Sequence, residues 1–119
     1  MKISLPPNYP IDQLADTLGL KTQAGKEALV IALENIILLD GKQQDYGSKN
    51  ISRFSTFGCV VRMSDKFERL VHLYNNRRKR AVNESVRDSF RDFSNYAIIA
   101  LMCETGKWPD VSVTSAKPS

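Results

Sequence analysis

Apolar residues recur at three- and four-residue intervals in four stretches of the chain, and no run alternates long enough to suggest a strand. The opening Leu5-Pro6-Pro7-Asn8-Tyr9-Pro10 cannot be helical, because each proline lacks a backbone donor and restricts the residue before it. Ile11, Leu14, Ala15 and Leu18 then mark a short helix that stops at Gly19. A second helix is predicted from about Thr22 to Leu39 on Ala28, Ile31, Ala32, Asn35/Ile36 and Leu39. Further apolar residues around that stripe predict burial on more than one side, as in the central helix of a fold.

Residues 40–58 hold three glycines, three serines and several amides, which predicts a long polar loop. A third helix is predicted over Val60–Tyr74, with Val60, Met63, Phe67, Leu70, Val71 and Tyr74 as its core stripe. After a basic turn, Asn75-Asn76-Arg77-Arg78-Lys79-Arg80, Asn83 fits the N-cap of a fourth helix. Its core stripe is Val86, Phe90, Phe93, Ala97 and Leu101, and Gly106 with Pro109 ends it. The expected fold is all-α: a small bundle of about four helices, one domain over 1–110, with a long polar loop between helices two and three and a loose tail over 111–119.

Composition narrows the setting. With 42% hydrophobic and 25% charged residues the chain is an ordinary globular one. Its two apolar runs, Ile36–Leu39 and Ala97–Cys103, fall short of the ~20 residues a membrane helix requires. Cys59 and Cys103 lack metal-type spacing and the N-terminus does not read as a signal peptide, so reduced thiols and a cytoplasmic location are expected, in the host cytoplasm if the chain is phage-encoded. Residues 1–59 balance six basic against six acidic side chains, whereas residues 60–119 carry eleven against seven. The second half is therefore the cationic one, suited to a phosphate-bearing partner. The Arg77–Arg80 run has no interleaved aromatics, which argues against direct nucleic-acid binding.

Three clusters could carry chemistry. Glu84, Asp88 and Asp92 recur every fourth residue, so their carboxylates share one ridge; a Mg²⁺ ion between them, or arginines, would relieve the repulsion. Arg62, Asp65, Lys66 and Arg69 put alternating charge on one side of the third helix, where the cations could hold a phosphate. Gly41-Lys42-Gln43-Gln44-Asp45-Tyr46-Gly47 sets a cation, two amides, a carboxylate and an aromatic ring between glycines, groups that can contact a phosphate and stack on a base. For each cluster the competing interpretation is a solvated helix face or a well-made turn. With His72 the only histidine, a His-rich zinc site cannot be built within one chain, and Cys59 and Cys103 have no evident base beside them in the sequence, so nucleophilic catalysis is not expected.

Lys42 through Gly47, then Phe57-Gly58 with Arg62, Asp65, Lys66, Arg69 and Leu70, then Glu84, Asp88, Asp92 and Asn95–Ala100 together resemble the bacterial and phage family called nucleotide modification associated domain 1, over roughly residues 28–103. The resemblance implies a nucleotide-related substrate class and no particular reaction. The fourth-helix pattern is also similar to the all-α nucleoside triphosphate pyrophosphatases, in which acidic pairs bind magnesium. Here Ser89 stands three residues before Asp92 and Glu34 has no second glutamate nearby, so that likeness is partial.

The expected function is nucleotide binding. Lys42, Arg62, Lys66 and Arg69 would face phosphates, Tyr46 a base, and Asp45, Asp65, Glu84, Asp88 and Asp92 the sugar, a metal or those cations, with Tyr96 completing the set. Three alternatives stand beside it: a non-catalytic sponge for a cyclic signalling nucleotide in phage anti-defence, a Mg²⁺-dependent pyrophosphatase, and a helical interaction domain. Whether any bond is broken is left open. So small a core also predicts a homo-oligomer.

Overall fold

A computed structural model describes residues 3–76 and 80–111, and for residues 80–84 the backbone alone. Five helices follow in order: α1 Ile11–Thr17, α2 Gln23–Tyr46, α3 Lys49–Ser52, α4 Ser55–Tyr74 and α5 Arg80–Glu104. The all-helical class is as expected, with four helices of seven residues or more and no strand among the described residues. None of the helices is long and apolar enough to cross a membrane. The chain divides into two units, Met1–Asp45 and Tyr46–Ser119.

In the first unit α1 buries Ala15 and ends where the Gly19 and Leu20 amides donate to the Asp16 and Ala15 carbonyls. Thr22 caps α2: its Oγ1 accepts from the Gly25 amide at 3.0 Å, satisfying a donor the first turn would otherwise leave open. Of the expected stripe, Asn35 is the one residue α2 buries fully; against expectation, Ile31 and Ile36 are exposed.

The expected long polar loop over 40–58 is mostly helix. α2 runs on through Asp40–Tyr46, helped by Gln44 Nε2 donating to Asp40 Oδ2 at 2.7 Å one turn away. Lysine and glutamine are good helix formers, and they outweigh the cost of about 1 kcal/mol from Gly41. Only Gly47-Ser48 and Arg53-Phe54 interrupt the helices before α4, which begins at Ser55, five residues earlier than expected. α5 likewise starts at Arg80, so Asn83 stands inside the helix and does not cap it. Of the expected basic turn, residues 77–79 lie outside the described residues, as does the tail beyond residue 111.

The second unit is built on α4 and α5 packed antiparallel. Contacts between them run in opposite numerical order: Cys59 meets Cys103, Arg62 meets Tyr96, Lys66 meets Asp92, and Leu70 and Leu73 cluster with Val86. The buried face of α4 is therefore Cys59, Leu70 and Leu73, with Arg62 and Lys66 between them. The expected core stripes are corrected accordingly: Leu70 and Val86 are buried, but Val60, Phe67, Val71, Tyr74, Phe90 and Leu101 are exposed. α4 carries two adjacent stripes at helical spacing, and a single neighbouring helix covers only one of them. The other end of the unit is closed by the segment after Gly106, where Trp108 is buried and its Nε1 donates to the Ser48 carbonyl at 3.1 Å.

Candidate functional site

Two of the three expected clusters meet on the α4–α5 pair. A helix presents residues four apart on one face, so Arg62 and Lys66 lie one turn apart on α4, and Asp92 and Tyr96 lie one turn apart on α5. The antiparallel register matches them in order. Lys66 Nζ stands 3.0 Å from Asp92 Oδ2, with both side chains partly shielded from water. One turn further along, Arg62 Nη1 reaches Tyr96 Oη at 3.5 Å and its guanidinium carbon lies 5.9 Å from the Tyr96 ring centroid, within range of a cation–π interaction.

Arg62 is exposed although it touches Tyr96, so donors of its fork remain accessible. Asp65 and Arg69 stand on the same helix and are exposed, as is Asp88 on α5. The arrangement is a polar strip along the α4–α5 seam, with a half-buried lysine–carboxylate pair, an arginine lying on a tyrosine, and further charge of both signs around them. Such a strip can bind a phosphate through guanidinium and ammonium groups while Tyr96 offers a ring edge or face.

Of the carboxylates expected to share a metal, the Glu84 side chain lies outside the described residues, Asp88 is exposed, and Asp92 is engaged by Lys66. Among the described residues no three acidic, histidine or cysteine side chains converge. The third cluster lies elsewhere in the chain. Lys42 and Asp45 belong to the last turns of α2 in the first unit, where Asp45 lines an open depression of about 510 Å³ with Ile36, Ile37, Asp40, Gly41 and Gln44. Tyr46 opens the second unit and is exposed.

One pairing was not legible in the sequence. Cys59 and Cys103, 44 positions apart, are both buried and adjacent, and burial together with the neighbouring thiol pushes Cys59 up to about 11, against a smaller opposing pull from Arg62. At that value the thiol stays protonated and inert at neutral pH. The signal that could have found the pair is register, since lining up Arg62 with Tyr96 also lines up the cysteines. Asn95 and Ser89, buried on α5, are polar residues that a stripe drawn from apolar positions passes over.

Comparison with known proteins adds one finding. The family model described as nucleotide modification associated domain 1 matches residues 42–103, a span containing the whole strip. No curated protein and no solved structure matches the chain.

Proposed function

The chain belongs to the nucleotide modification associated domain 1 family, and from that premise we propose that it binds a phosphate-bearing nucleotide along the α4–α5 strip. Arg62, Lys66 and Arg69 supply cations for the phosphates, Tyr96 supplies a ring, and Asp65, Asp88 and Asp92 orient the cations or the sugar. Lys42, Asp45 and Tyr46, at the start of the family-matched span, are separate candidates for phosphate and base contact on residue type alone. The observation that carries this reading is the pairing of Arg62 with Tyr96 and of Lys66 with Asp92 on one seam inside that span.

Binding without hydrolysis is the form the geometry supports better. A magnesium site needs carboxylate oxygens clear of competing cations, and Lys66 already occupies Asp92. In the hydrolytic reading, Glu84, Asp88 and Asp92 would hold Mg²⁺, which would supply charge stabilisation and an activated water. A binder of this kind could act by sequestering its nucleotide, linear or cyclic.

The test is titration calorimetry with a panel of linear and cyclic nucleotides, with and without a chelator, joined to product analysis. Binding below millimolar that persists in chelator and falls about tenfold or more in Lys66→Ala or Arg62→Ala is expected, the scale of one lost charge-assisted bond. Metal-dependent product formation would move the assignment to the hydrolase. The absence of any binding would remove the nucleotide reading altogether and leave the helical interaction domain.

A further inference from the structure

The outer face of the α4–α5 pair is apolar, exposed and regularly spaced. On α4, Phe57, Val60, Ser64, Phe67, Val71 and Tyr74 are separated alternately by three and four residues, and all six are exposed. That is the a/d spacing of a helix meant to pack against another helix, and it runs beside the stripe that α4 already uses against α5. α5 extends the surface with Phe90 and Leu101, exposed at 55% and 67%, and Phe67, Val71, Tyr74, Phe90 and Phe93 line a groove of about 500 Å³.

Two properties indicate the occupant. The area still open on these large side chains is roughly 700 Å², close to the ~800 Å² each partner contributes to a standard specific interface and beyond what a monomer ordinarily leaves exposed in one patch. The central positions carry no charge, so laying the face on its own copy opposes no like charges. Toward its edges stand Glu68 on α4 and Arg87 on α5, both exposed and opposite in sign. A two-fold packing that sets α4 on the partner's α5 brings a carboxylate toward a guanidinium twice.

We infer that this face is the contact between two copies of the chain, packed seam to seam as an intermolecular four-helix layer. The nucleotide reading is not needed for it. The polar strip of Arg62 and Asp65 lies on a different side of α4 from Phe67 and Val71, so each copy keeps its strip open in the dimer.

Sedimentation velocity of the full chain across micromolar concentrations tests it. The wild-type chain is expected at twice the chain mass. Phe67→Glu with Phe90→Glu is expected at the chain mass with unchanged helical circular dichroism, because both rings are exposed in the single chain. Ser64→Glu is the second variant: it removes no apolar contact but puts a carboxylate into each apolar contact between α4 and the partner's α5, and it should weaken the dimer at least tenfold. A wild-type chain that is monomeric throughout overturns the inference and assigns the face to a different cover, another part of the chain or a protein of different sequence. A dimer that survives both variants overturns it equally, by placing self-association elsewhere.

Discussion

The ion pair of Lys66 with Asp92 takes its worth from its depth. At 3.0 Å and partly shielded, the pair lies between the exposed kind, worth a few tenths of a kcal/mol, and the fully buried kind, which is costly to break. Lys66→Met should therefore lower stability in urea by about 1 kcal/mol, and a double-mutant cycle with Asp92→Asn should return a coupling of similar size. Cys59 makes a pH prediction. Its folded value of about 11 lies above the ordinary 9, so its contribution is fully present below pH 9 and is lost as pH rises toward 11. The loss should be on the order of 2 kcal/mol and absent in Cys59→Ala, as measured by denaturation at a series of pH values. At neutral pH both thiols should resist alkylation until the chain is unfolded.

At the scale of elements, the junctions between α2, α3 and α4 depend on particular backbone positions. Gly47 ends α2 at φ +75°, a conformation side chains rarely adopt, with no atom near its missing Cβ. Gly47→Ala should therefore cost only the conformational term, about 1 kcal/mol. Gly58 poses the opposite problem: its φ is ordinary, but a Cβ there would stand 2.7 Å from Phe54 Cβ. Gly58→Ala should cost about 1–3 kcal/mol as an overpacked contact, and Phe54→Gly should relieve most of that cost. Thermal melts of the two single variants and the double variant separate strain from crowding.

For the whole molecule, Trp108 ties the end of the second unit to its beginning. It is the only tryptophan, it is buried, and it donates to the carbonyl just after Gly47. Trp108→Ala should cost about 3–5 kcal/mol, the range for removing a buried large aromatic. Its fluorescence should follow the unfolding of the second unit, whereas circular dichroism follows every helix. A difference between the two transitions would show that the two units unfold separately.

The all-helical class, with no strand among the described residues, and the helix faces that the charged residues share were legible from periodicity alone, because 3.6-residue repeats fix which side chains share a face of a helix. Loop chemistry over 40–58 was misread. Glycine, serine and amides are only weak breakers one at a time, and a side-chain bond such as Gln44 to Asp40 is invisible to composition. The core stripes were misread for a different reason. α4 carries two stripes of equal regularity, and only packing against α5 shows that the one with Cys59, Leu70 and Leu73 is buried while the one with Phe67, Val71 and Tyr74 stays open. Local sequence determined that helices form and which residues lie side by side on each. The tertiary structure decided which face of each helix turns inward, because that depends on the register between elements distant in the chain, the same register that brings Lys66 to Asp92, Arg62 to Tyr96 and Cys59 to Cys103.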